Sequence, residues 1–518
     1  MSSHAPEDYR PLRAVSVLYS FLVATFLIGT GTCMAQSSQT AAVKAYAKQH
    51  QKEIVSEYLT YLSVPDVHGD QANLQKNAEL LVAMMQKRDL NPELWKTSSV
   101  PVVFGQKIVR GSKHTILFYI HFDGQPVDPK RWKQPDPFIP VIRTDSIENG
   151  GKIVTDISQV TDFPDSWRIY ARAAGDDKVP IEALLVALDA LGGKTKESIK
   201  VILHGEEEGS GPGLDEVIKQ YPNKLKSDVL IILDGPQHPS GRPTMYYGAR
   251  GGAGLDLTVY TAKGGMHSGN YGNWMPDANV RLSQLISSMV DLSGKVVIDG
   301  FYSDVLPFSK SALAMIQAVP DNSAQMQNDL GIGSTDGAAS SLQEGLNLPT
   351  FSIHTMKGGE IGGVIAASSS AQIAMRLVKE NDPKVMSERV IEHIKKQGYF
   401  VVDKDPTVEI LASHPRTIKV IAPALTRKGG GGAWRTDTEN PEAIFVTDAM
   451  RAAWGPDIVR LRTLGGGVPA SPFIDAYHVP TLGICIANYD DNQHTDNENL
   501  RIGNLWDGAV TLAALMTY

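Results

Sequence analysis

Residues 115–123 read Thr-Ile-Leu-Phe-Tyr-Ile-His-Phe-Asp: an apolar run that ends in an imidazole and, two residues on, a carboxylate. A run this apolar, rich in β-branched and aromatic residues, fits a strand buried on both faces. Three further runs repeat the pattern. Residues 200–203 lead into Glu206-Glu207-Glu208, 229–233 end at Asp234, and 481–486 are followed, after a short acidic loop, by His494. Open α/β sheets bind ligands at the carboxyl ends of their strands. Here those ends would deliver His and acidic groups without thiolates, a donor set suited to Zn²⁺, or to Mn²⁺ or Co²⁺.

Helical segments alternate with these strands. Residues 41–61 and 71–87 carry apolar positions at helical spacing, and 180–191 opens near Pro180 and stops before Gly192-Gly193. Such alternation predicts an α/β fold whose sheet is mixed but largely parallel. The middle of the chain differs. Residues 255–260 alternate as a strand and 277–290 read as a helix. Residues 371–378 alternate again, with Ile373, Met375 and Leu377 on one face and Arg376 on the other. A helix over 383–396 is capped by Asp382 and closed near Gly398. The expected organisation is a catalytic domain in two parts, 36–242 and 399–518, with a smaller α+β domain inserted at 243–398. Residues 429–432 read as a flexible glycine loop.

The chain has 518 residues, too many for one core, with 42% hydrophobic and 20% charged residues and a net charge of −8. No basic cluster suits nucleic acid. Arg10 and Arg13 precede an apolar stretch over 14–29 and the small-residue sequence Cys33-Met34-Ala35. This predicts a signal peptide over 1–35 and an exported protein, not membrane-bound once the signal is removed; an uncleaved anchor is the alternative. Of the two cysteines, Cys485 lies in an apolar run and reads as core packing.

Taken singly, each motif has an ordinary explanation: a surface turn for His121-Phe122-Asp123, a solvated face for three glutamates, a helix cap for Asp176-Asp177. Together they form an order. HFDGQPVD, ARAAGDDKVP, HGEEEGSG, LDG, GGMHSGNYG, IAMRLV and HTDNENL follow one another between residue 121 and the C-terminus. This order resembles metallopeptidase family 20, which includes the carnosine-type dipeptidases, glutamate carboxypeptidase, acetylornithine deacetylase and the aminoacylases. The spacing is most similar to the carnosine-type dipeptidases.

The resemblance implies a zinc-exopeptidase-like catalytic domain with a ferredoxin-like lid. It also implies two co-catalytic divalent metals, with Asp176 bridging, His121 and Asp234 completing one and Glu208 and His494 the other. Asp123 would stand behind His121 and orient it, while Glu207 would act as general base and acid on the hydrolytic water. Glu206 would fall outside the site. His267 would stabilise the oxyanion, from the partner's lid in a homodimer, and Arg376 would grip the substrate carboxylate. The chain departs from the family where a hydroxyl is expected, at Gly363 and at Gly467 of the Gly465-Gly466-Gly467 loop, and it carries an insertion near 144–165. Dipeptide or short-peptide hydrolysis is the expected activity. N-acyl-amino-acid hydrolysis is the alternative, and an inactive binding protein a third. No G-x-S-x-G elbow suggests a serine hydrolase.

Overall fold

The computed structural model describes residues 39–359, 362–425 and 432–518. The segment 1–35, expected to be a signal peptide, lies outside these residues, as does most of the glycine loop at 429–432.

The four apolar runs are neighbouring strands of one eight-stranded sheet. In spatial order the strands are 93–95, 102–107, 198–204, 115–121, 229–232, 481–485, 244–246 and 459–461. Strand Thr115–His121 pairs in parallel with Ser198–His204 on one side and Val229–Ile232 on the other, and the latter pairs in parallel with Thr481–Cys485. Parallel pairing without offset makes all four runs end at one edge, and the register sets His121 opposite His204. Antiparallel strands flank this centre, as for Val102–Lys107 against Ser198–His204, so the sheet is mixed as expected.

Both faces are covered. Ile116, Phe118 and Ile120 point into a core closed by the helices Gln51–Leu62, Gln71–Gln86, Lys178–Ala190, Pro441–Trp454 and Ile502–Thr517. Leu117 and Tyr119 point the other way, towards the helices Gly213–Gln220 and Ser471–Tyr477. Two-faced burial explains why the strand reads as a continuous apolar run. Each fully buried aliphatic chain contributes about 1.5–3 kcal/mol. Cys485 is buried in the second of these cores.

A second sheet has five strands in the order 350–358, 368–377, 251–260, 417–421 and 400–402. All its pairings are antiparallel except the last, between 400–402 and 417–421. Its apolar face, with Leu257, Ile373, Met375 and Leu377, packs on the helices Ala278–Ser287 and Pro383–Lys396. The Asp382 side chain accepts N–H bonds from Lys384 and Val385, and Gly398 follows the helix with φ 82°.

The expected boundaries of this unit are corrected at both ends. Strand Thr244–Tyr246 belongs to the first sheet, and residues 400–421 complete the second, because Thr417–Ile421 pairs with the edge of Gly251–Tyr260. Segment 144–165 lies against the start of helix Gln51–Leu62: the Phe163 N–H donates to Gln51 and Lys52 donates to the Ser158 carbonyl. Among the described residues no helix is long and apolar enough to cross a membrane.

Because Leu117 is fully buried at the centre of the first sheet, Leu117→Ala should cost about 2–5 kcal/mol. Ser352→Ala on the exposed edge strand should stay within about 0.5 kcal/mol. Urea unfolding followed by circular dichroism reads both.

Candidate metal centre

The common edge of the four parallel strands gathers the charged groups. His121 ends its strand, Glu207 and Glu208 occupy the turn after Ser198–His204, and Asp234 follows Val229–Ile232. Asp176 and Asp177 come from elsewhere. They stand at the start of helix Lys178–Ala190, after a strand, Arg168–Tyr170, of a separate three-stranded sheet. His494 arrives on the loop between Thr481–Cys485 and Asn499–Arg501.

Two groups of ligand atoms result, each lying within 4.8 Å of one another: His121, Asp177 and Asp234, and Asp176, Glu208 and His494. Asp176 joins them. Its Oδ1 is 3.0 Å from His121 Nε2 and its Oδ2 is 3.1 Å from His494 Nε2. His494 Nε2 is also 3.3 Å from Glu208 Oε1, and the Gln125 amide donates to the other Glu208 oxygen at 2.7 Å. All five residues expected to bind metal are thus brought together.

Asp177 is an addition. Its side chain makes no cap bond to the helix it precedes; instead Oδ2 accepts the His121 backbone N–H at 3.3 Å. Two adjacent aspartates before a helix suit capping equally well, so the sequence could not separate the two roles. Lys178, the next residue, is buried and turns away to Asp66 at 2.8 Å.

Asp123 is more than a support for His121. Its backbone carbonyl lies 3.1 Å from His121 Nδ1, with its carboxylate at 3.6 Å. That carboxylate accepts the N–H of Glu207 at 3.1 Å and of Glu208 at 3.0 Å. One buried group therefore fixes both the imidazole and the glutamate turn. Glu206 packs against Gly211 and Gly213, outside the two ligand groups.

The electrostatics show the strain of so many acids in one place. Burial pushes Glu207 up to about 8; His121 opposes this, while Asp234, Glu208 and Asp123 add to it. Asp234 is pushed to about 7 by burial and by the charge of Asp176. Burial also raises Asp177 well above the carboxylate range. Asp176 behaves oppositely: burial would raise it, but hydrogen bonds with His121 and His494 hold it low. His494 rises to about 10 through hydrogen bonds with Asp176 and Glu208. Cations bound here would take over the charge-balancing part of these protons. Nitrogen and oxygen donors in two adjoining sets fit a pair of divalent ions.

His267 and Arg376 stand outside these groups. His267 is exposed in the two-residue strand Met266–His267, and its Nδ1 accepts the Gly269 N–H at 3.1 Å. Arg376 is exposed on strand Ser368–Leu377 and faces Gly467, where an added Cβ would lie 3.9 Å from its Nη1. Arg250 stands beside it and was not anticipated, since a lone Arg ahead of two glycines carries no signal. Its Nε donates to the Gly465 carbonyl and its Nη1 is buried without a hydrogen-bond partner. Burial and the charge of Arg376 lower Arg250 to about 10. Gly363 has φ 75°, in the left-handed region that favours glycine.

Comparison with known proteins agrees with this geometry. The chain is 24% identical over 483 residues to the Cys-Gly metallodipeptidase dug1 of Schizosaccharomyces pombe, covering 88% of this chain and 93% of that one. It is 23% identical over 428 residues to the human Beta-Ala-His dipeptidase, covering 80% and 76%. An M20 family metallo-carboxypeptidase from Sulfolobus solfataricus superposes with a TM-score of 0.70 at 23% identity, over 90% of this chain and 98% of that one.

These relatives correct two expectations. Alignment with Cys-Gly metallodipeptidases runs against export, which is withdrawn; the segment that prompted it lies outside the described residues. Curated relatives named as dipeptidases do not favour the deacylase alternative. Residues 117–518 match Peptidase family M20/M25/M40. The chain belongs to that family and is a hydrolase acting on peptide bonds.

Proposed function

We propose that the chain is a dinuclear-metal dipeptidase in which Glu207 moves the proton. One observation carries the reading: a single carboxylate, Asp176, sits between both groups of ligand atoms while Glu207 lies beside them and belongs to neither. His121, Asp176 and Asp234 would hold one ion, with Asp177 in reach of it. Asp176, Glu208 and His494 would hold the other. Zn²⁺ suits these donors first, Mn²⁺ or Co²⁺ next. Bound divalent ions supply Lewis acidity towards the scissile carbonyl and the hydrolytic water.

The remaining work falls to the protein. Glu207 takes the proton of the attacking water and passes it to the nitrogen of the leaving amine. A carboxylate held beside the ligand groups without joining either suits that transfer. Asp123 keeps Glu207 and Glu208 in place through their backbone N–H groups. Arg376, with Arg250 beside it and the Gly465–Gly467 loop opposite, forms a cationic end for the carboxylate of a small peptide.

His267 acts from a partner subunit. Support for this comes from its exposure in the second unit, away from both ligand groups, and from exposed apolar side chains on that unit: Trp274 (81% exposed), Ile353 and Met356. Such a surface is suited to a second copy of the chain.

Glu207→Gln should keep its full zinc content by elemental analysis and lose about 10²–10⁴-fold in kcat on unblocked dipeptides. A variant turning over at the wild-type rate defeats the assignment. Free dipeptides should be cleaved well ahead of N-acetyl amino acids, and the opposite order would return the deacylase reading. Mixed with inactive His267→Ala, inactive Glu207→Gln should regain activity by forming dimers that hold one intact site. Sedimentation showing a fully active monomer would reject the shared site.

A further inference from the structure

Glu498 lies four residues beyond His494, in HTDNENL, and is fully buried. Its Oε1 accepts the backbone N–H groups of Gly175 and Asp176, each at 3.0 Å. Its Oε2 accepts the N–H of Ala173 at 3.0 Å and Arg172 Nη1 at 2.6 Å. The contact is returned, since the Ala171 N–H donates to the Glu498 carbonyl at 3.2 Å. Arg172, itself buried, donates through Nη2 to the Thr495 carbonyl at 3.0 Å and lies over the Trp132 ring.

The turn so gripped is the one that aims Asp176. Ala173 has φ 58°, a left-handed conformation unfavourable for a non-glycine residue. Such a conformation persists only where its surroundings over-determine it. Gly175 passes so close to the neighbouring loop that a Cβ would lie 2.9 Å from Asp491 Oδ2. Three N–H groups on one carboxylate, with a guanidinium as its counter-charge, supply the required grip.

We propose that Glu498 is a positioning residue for both cations. It ties the backbone of Asp176, which serves both ligand groups, to the loop that carries His494, and so holds the two halves of the centre in register. This rests on the dinuclear reading above. A glutamine at this position is a sharp probe. Its oxygen can still accept from two N–H groups, but its amide nitrogen would set donors against Ala173 N–H and Arg172.

The test is calorimetric titration of chelated protein with Zn²⁺, alongside thermal melts of the metal-free forms. Wild-type protein should take up two equivalents. Glu498→Gln should bind zinc about 10–100-fold more weakly, the range for losing a group that orients metal ligands. Arg88→Gln is the control: it breaks a half-buried cluster far from the ligand groups in sequence, Arg88 with Glu57 and Asp189, and should lose stability while keeping wild-type zinc affinity. The proposal is overturned if Glu498→Gln binds zinc as wild type does, or if Arg88→Gln loses as much affinity. Should Glu498→Gln not fold, Arg172→Lys keeps the charge but not the paired geometry. It should weaken zinc binding severalfold, and unchanged affinity there overturns the proposal. Wild-type protein that binds no zinc at all would instead bring down the dinuclear reading, and this one with it.

Discussion

Five carboxylates, those of Asp176, Asp177, Glu207, Glu208 and Asp234, converge at one sheet edge with His121 and His494 as their immediate cationic partners. Water would solvate such charges separately; a buried site cannot. The molecule meets the constraint in two ways. Some acids are matched locally, as Asp176 is by two imidazoles. Others, Glu207 and Asp234, are pushed towards neutrality by burial and by one another. Divalent cations resolve what remains, and the surrounding fold can be read as the means of holding these acids close enough to need them.

That holding is done by backbone more than by side-chain packing. Parallel pairing brings four strand ends level, and the loops beyond them are then pinned by buried acids. Asp123 holds the turn of Glu207 and Glu208, and Glu498 holds the turn of Asp176. Each spends its oxygen lone pairs on backbone N–H groups, and Glu498 on Arg172 as well, which fixes direction without competing for the cations. Lys178, paired with Asp66 in full burial, anchors the opposite side of Asp176-Asp177. Removing one member of such a pair is costly because the other is left charged and dry.

The surroundings of Arg376 are built differently from the metal centre. The expected hydroxyls are missing at Gly363 and Gly467, yet Gly467 still faces Arg376, and Arg250 adds a second guanidinium beside it. Two guanidiniums therefore stand at this glycine loop where the family would place hydroxyls. These groups come from both sheets: Arg376 from the second, the glycine loop from beside the first.

Much of the centre was visible in the sequence because most of its donors follow an apolar run, at once or after a short loop, and two-faced burial leaves an unmistakable stretch such as residues 115–120. Those runs pointed to His121, the glutamates 206–208, Asp234 and His494 as a donor set, and the resemblance of the motif order to a known family gave each its role. The edge strand Thr350–Gly358 was invisible for the opposite reason: neither of its faces is buried, so no alternation marks it. The second sheet's last strands, 400–402 and 417–421, lie beyond the expected boundary because pairing partners far apart in sequence leave no local trace. Residue types and local periodicity by themselves determined the class of fold and the donor set, and the resemblance of the motif order to a known family singled out Glu207. Only the tertiary structure decided that Asp177 leaves its helix for His121, that Asp123 serves three residues, and that Glu498 governs Asp176 across more than three hundred positions. Those are contacts of direction and distance, which a linear order of residues does not contain.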